Sequence, residues 1–334
     1  MTRLIAASAL LVVTAVAAGC PSEPCDPTWS VELDRPGGAL LAGWGRAADD
    51  AWLVGGGLGT GGARIVRWTG QPIEATAALA ADRGETLWWV WGTPAGTLWA
   101  VGERGLVLRG PADGSAALTV VPSDTEATLY GVWGSGDDDV WIVGGVANQR
   151  ADADDDLVLH WDGQRLARLE LPRRDAALFK VWGPAGGDEL WVSGEAGTLW
   201  RRRDGAWIDH ALDTPASVLT VHGCSADEAY AVGGRHVWQW DGAAWTEVAG
   251  LPAFALATGV ACGEREVLVV GAQGVRLRRD RATGAWSDDQ LEPFVGADLH
   301  GAWAAPGGEL FAIGGDYLLP ATSRRGVLAR FACR

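Results

Sequence analysis

One figure is written seven times along this chain of 334 residues. Its clearest copy is 129–145, LYGVWGSGDDDVWIVGG. Two short apolar runs are joined by a tight Gly/Asp turn, with Trp133 on the first run, Trp141 on the second, and Gly144 closing the second. The other copies pair Trp44 with Trp52 before Gly55, Trp91 with Trp99 before Gly102, and Trp182 with Trp191 before Gly194. They continue with His222 and Tyr230 before Gly233, Ala261 and Leu268 before Gly271, and Trp303 and Phe311 before Gly314. Successive closing glycines are 47, 42, 50, 39, 38 and 43 residues apart. A repeat of roughly 20–50 residues cannot bury its apolar face alone and must stack on its neighbours, as in solenoids and propellers.

The rest of each period decides between those two. A third apolar run follows the closing glycine, seen best as 157–163, LVLHWDG, and 237–242, VWQWDG. The Asp-Gly that ends it is a hairpin signal. A fourth run then starts near a Trp, at Trp207, Trp245 and Trp286. Four short antiparallel strands per period of about 40–45 residues make a propeller blade. Such a blade is apolar on both faces, so flat indoles fill the space between neighbours, and glycine lets strands crowd near the axis. No helical periodicity appears after residue 20. The expected fold is therefore all-β, a seven-bladed β-propeller of four-stranded antiparallel blades, and the indoles are expected to be structural. A WD40 propeller would set Gly-His and Trp-Asp at fixed places, whereas here Trp-Asp ends the third strand in only some copies.

The last copy stops short. It has runs near 299–304, 309–314 and 326–332, and then the chain ends. The missing fourth strand is legible at the other terminus, where 28–36, TWSVELDRP, resembles the fourth strand 244–252, AWTEVAGLP. An N-terminal strand completing the last blade would close the ring without an open edge. Cys25 and Cys333 then both fall where other copies carry the Asp-Gly turn. A Cys25–Cys333 disulfide would replace that turn and, in the loop-entropy model, stabilise the fold by on the order of 4–5 kcal/mol. Cys224 and Cys262 follow the first strands of adjacent copies and form the other expected pair.

Residues 1–19 belong to no copy. Arg3 and then an apolar run from Leu4 to Ala18 read as a signal peptide. The run ends in Ala17, Ala18, Gly19 and Cys20, which resembles the lipobox of bacterial lipoproteins, with Ala17 in place of the usual Leu. The resemblance implies that Cys20 carries the lipid and that 20–27 is a tether ahead of a propeller spanning 28–334. It also places the protein in a bacterial cell envelope. Pro21 stands where an inner-membrane retention Asp would be, which favours the outer membrane. An exported chain is also one in which disulfides persist.

Charge narrows the partners. Beyond the leader there are 26 basic residues (27 less Arg3) against 42 acidic ones, a formal charge of −16. That balance argues against nucleic acid and against direct adhesion to anionic lipid, leaving the acyl chains as the membrane contact. No chemistry-bearing constellation stands out. The five histidines, His160, His210, His222, His236 and His300, lie in separate strands or turns without metal spacing. The acidic runs 137–139 and 152–156 suggest calcium, but the second lacks the glycine and distal Glu of a calcium loop, and turns use Asp equally. Asp280 to Trp286 is too short in its Gly-to-Trp spacing for a quinone-cofactor propeller motif. No catalytic residue, metal or cofactor is expected.

The Trp99-Ala-Val-Gly102 type of strand, followed by an Asp-Gly turn and a Trp, resembles the propellers of photosystem II assembly factors and BNR (Asp-box) repeats. Asp241, Gly242 and Trp245 come nearest to an Asp box but lack its Ser. The Trp/Gly-rich pattern also resembles tectonin-type lectin propellers. These resemblances imply a binding or scaffolding propeller for a protein or glycan, expected as a monomer, and carry over no catalytic residue. A glycan hydrolase or lyase on the same fold, or an assembly factor for a membrane complex, are the alternatives. Carboxylates clustered on the axis would mark the enzyme; an axis of small and apolar residues would mark the binder. The link between second and third strands is long only in copies one (56–64), three (146–156) and seven (316–325). Insertions confined to one face often mark a binding surface, so Arg150, Asp152, Asp154, Tyr317, Arg324 and Arg325 are the candidate contacts.

Overall fold

The computed structural model describes residues 25–56, 62–74, 85–147, 156–172, 176–186, 189–317, 319–320 and 323–333. Their regular structure is strand, apart from short 3-10 turns, one of them at Ala272–Gly274. The strands form seven four-stranded antiparallel sheets, one per sequence copy, each with its first strand innermost. In every blade the two marked residues of the figure are direct cross-strand partners: Trp44 with Trp52, Trp91 with Trp99, Trp133 with Trp141 and Trp182 with Trp191. His222 faces Tyr230, Ala261 faces Leu268 and Trp303 faces Phe311 in the same way. The repeat read in the sequence is thus the inner hairpin of each blade.

The seventh blade is shared between the chain's ends. Its inner strands Leu299–Ala304, Leu310–Gly314 and Arg325–Ala332 are completed on the outside by Thr28–Pro36, paired antiparallel to Arg325–Ala332. Cys25 and Cys333 are disulfide-bonded across the point where a covalent turn would stand, with Cα atoms 5.7 Å apart. Trp29 of the N-terminal strand packs on Phe331, and its Nε1–H donates to Asp289 of blade six at 2.6 Å. The buried Arg276 of blade six lies over the same indole at 4.9 Å. Apolar burial and a cation–π contact therefore hold the closing strand on two sides.

The closing glycines are required by distance. A Cβ at Gly271 would sit 1.7 Å from the Leu256 carbonyl oxygen, and one at Gly233 1.8 Å from that of Ser217. The same clash, with a carbonyl at the start of the inner strand or just ahead of it, recurs at Gly55, Gly102, Gly144, Gly194 and Gly314. The carbonyl occupies the space a side chain would need, so only glycine lets the second strand run on.

Candidate functional site at the two mouths of the axis

The inner strands line an axial channel that widens at both ends. The first widening, about 440 Å³, is ringed by the marked inner-strand residues Trp44, Trp91, Trp133, Trp182, His222 and Trp303. These indoles hold blade to blade through the glycine of the next Trp-Gly pair. A Cβ on Gly92 would meet Trp44, one on Gly183 would meet Trp133, and one on Gly223 would meet Trp182. Trp91 donates its Nε1–H to the Gly134 carbonyl at 3.1 Å. Blades five and six, which carry His222 and Ala261 instead of Trp, are the two joined by the Cys224–Cys262 disulfide. His222 accepts the Cys262 N–H on Nδ1 at 3.1 Å, and burial lowers its pKa to about 4. This mouth is a packed collar of structural indoles.

The opposite mouth, about 260 Å³, is built by a device the sequence reading did not see. In six blades the inner strand slips register near its start, and one residue is skipped by the ladder: Leu41, Trp88, Tyr130, Phe179, Thr258 and His300. Leu219 takes the corresponding place in blade five, where its N–H and the pairing of Thr220 both fall on Val232. A β-bulge re-aims the side chain of its extra residue. Here the six re-aimed residues and Leu219, each three positions before the marked inner-strand residue, all line this mouth. Strand alternation read straight along the sequence puts them on the wrong face. A column of copies aligned on the marked inner-strand residue shows them as four large rings among seven.

These rings touch edge to face. Phe179 meets Tyr130 at 5.4 Å, Tyr130 meets Trp88 at 5.2 Å, Trp88 meets Tyr317 at 6.1 Å, and Tyr317 meets His300 at 4.8 Å. Tyr317 comes from the long link of copy seven, so the cup lies at the end of the axis where the second-to-third-strand links emerge. Burial raises the Tyr130 and Tyr317 phenol pKa values and lowers that of His300, whose Nε2 bonds the Gly315 carbonyl at 2.8 Å. At neutral pH these three groups are uncharged.

Beneath the rings lies one cation. Lys180 is buried, its Nζ 4.2 Å from the ring centre of Trp89 and donating to the Tyr130 carbonyl at 2.9 Å. Burial alone lowers its pKa to about 7. Trp89 lines both cavities and separates them. Neither cavity has an Asp or Glu among its described lining residues.

Arg325 reaches Asp34 at 3.0 Å and Asp316 at 3.9 Å, tying the long link to the closing strand. Arg324 donates to the Leu319 carbonyl at 2.7 Å. Neither lines the cup, whereas Tyr317 does. Arg150, Asp152, Asp154 and Cys20 lie outside the described residues. In the acidic turn, Asp137 accepts from Thr93, and Asp139 accepts from Ser135 and the Trp141 Nε1–H and bonds His160, so both carboxylates have partners.

No family model matches the chain, and no curated protein matches it. Solved structures do. It is similar to the structure described as YCF48 bound to D1 peptide, at 16% identity and a TM-score of 0.67, covering 92% of this chain and 97% of that one. YCF48 from Cyanidioschyzon merolae matches at 16% identity and a TM-score of 0.65, over 91% and 98% of the two chains. The WD40 repeats of RRP9 match at 12% identity and a TM-score of 0.71, over 92% and 99%. The likeness is one of fold.

Proposed function

We propose that this chain is an envelope-tethered lipoprotein whose propeller binds a protein partner, without catalysis, on the face that carries the long links. The observation that carries the reading is the belt Phe179–Tyr130–Trp88–Tyr317–His300 around the axis at that face. Partly exposed rings held in fixed contacts offer area at small entropic cost, which is why aromatic residues anchor protein interfaces. Paired carboxylates, which glycoside hydrolysis needs about 5–10 Å apart, are not among the described residues lining either axial cavity. One solved neighbour is described as holding a peptide, and the same use of the fold here supports a polypeptide partner over a glycan. The net charge and the lipobox-like 17–20 support an acyl tether as the membrane contact.

Affinity capture from detergent-solubilised envelopes tests the binding half. A partner held by the wild type, lost with Tyr317→Ala and kept with Ile208→Ala on an outer blade strand supports the reading; equal capture by all three contradicts it. Palmitate labelling that disappears in Cys20→Ala tests the tether, and labelling that persists would remove it.

A further inference from the structure

The aromatic cup has a floor that its rings do not explain. Lys180 carries three N–H donors, and among the described residues it meets one carbonyl, that of Tyr130, and the face of Trp89. No carboxylate is among the described residues lining the cup. Trp88 lines the same cup, and its buried Nε1–H has no hydrogen-bond partner among the described residues. A buried cation with unmet donors is costly unless something meets them. Among the described residues the lining of the cup offers Lys180 no carboxylate, while five rings and Leu41 form an apolar wall above it.

We infer that this cup is a binding site for a carboxylate carried on a small apolar or aromatic body, with Lys180 on the carboxylate and Trp88, Tyr130, Phe179 and Tyr317 around the body. The inference rests on the face proposed above being the binding face, and it adds the chemistry recognised there. The volume of about 260 Å³ is below the ~300–1,000 Å³ typical of drug-sized pockets, which limits the occupant to about one ring and a short acid arm. The carboxylate could belong to a free acid or to the end of a chain, since both present the same group. The ammonium is the bound form, and Lys180 titrates near neutrality when the cup is empty. Affinity therefore falls as pH rises from 6.5 to 8.5. The other titratable groups at the cup do not change charge in that window: His300 is held neutral, and Tyr130 and Tyr317 are held as phenols. The acidic groups acting on them are Glu103 and Glu195 at Tyr130, and Asp298 and Asp316 at His300.

The test is titration of the purified protein with 3-(4-fluorophenyl)propionate, read by fluorine NMR and calorimetry, against its neutral amide. The acid should bind at least about tenfold more tightly than the amide, as a charge-assisted hydrogen bond requires. Lys180→Met should abolish that preference while leaving the melting temperature unchanged or higher, because it removes a buried charge. Tyr317→Ala, on the link, should weaken acid and amide alike. A short peptide ending in a free Phe, with its amidated form, separates the sources: free acid binding alone identifies a small molecule, and matched binding of the peptide acid identifies a chain terminus. Equal binding of acid and amide, or an acid preference that survives Lys180→Met or does not weaken by pH 8.5, would overturn the inference. Partner capture persisting alongside such a result would leave the protein-binding reading intact.

Discussion

The closing glycines and the collar indoles show how single atoms set this fold. At Gly271 the Leu256 carbonyl stands where a methyl group would be, and it is backbone, fixed by the Ala272 N–H that it accepts at 2.9 Å. Gly271→Ala should therefore cost about 2–3 kcal/mol or more, the upper range for overpacking a rigid core. Urea unfolding checks this; a midpoint within error of wild type would show that the strand can shift. His222 gives a prediction in pH. Its ring is neutral in the folded chain, with a pKa of about 4 against an ordinary 6.5. Between those values the unfolded chain binds more protons. The stability due to this residue is thus complete above about pH 6.5 and is lost as pH falls towards 4. His222→Asn keeps an acceptor for the Cys262 N–H but cannot titrate. Its stability should depend less steeply on pH over that window, by up to about one proton. An unchanged slope would contradict a buried neutral imidazole.

At the scale of strands, the split blade is the clearest case of sequence dictating architecture. The 28–36 segment matches an outer strand in composition and supplies the one strand the last copy lacks, and it pairs there from Thr28 to Pro36. The Cys25–Cys333 bond spans a sequence separation of 308 residues. Its removal in Cys25→Ser should cost on the order of 5 kcal/mol, roughly 10 °C in melting temperature for a chain of this size. Scanning calorimetry under oxidising conditions reads it, and a shift below about 2 °C would mean that the strand pairing alone holds the closure. The inner hairpins were legible because their spacing and their cross-strand Trp pairs follow from one repeat. The cup was not. Its residues depend on a one-residue slip in six of the seven inner strands, and a bulge inverts the facing that strand alternation assigns. Tyr130 and Phe179 therefore read as ordinary strand positions, and Lys180 as one more polar residue beside them. Tyr317 was reached by a different route, the length of the link that carries it. Arg324 and Arg325, chosen by the same route, serve the link itself through Leu319, Asp34 and Asp316.

For the whole molecule, the ring makes the ends of the chain one unit with the middle. Deleting 25–36 would uncover the third strand of blade seven and Arg276 of blade six together, so the protein should fail to give a monodisperse peak on size exclusion instead of losing a local contact. A soluble, cooperative product would show that six and three-quarter blades suffice. The closed ring also gives the two mouths different characters. One is a collar of indoles packed blade to blade and bridged by Cys224–Cys262. The other is an aromatic cup over a buried lysine, with Tyr317 of the copy-seven link on its wall. The central claim is that the second mouth is where this propeller meets its partner. Incorporating a photo-crosslinking phenylalanine analogue at Tyr317, and separately at Ile73 on an outer strand of blade one, tests it most directly in intact cells. We expect one protein cross-linked from position 317 and absent from position 73. The same products from both positions, or none from 317 with the fold intact, would contradict it.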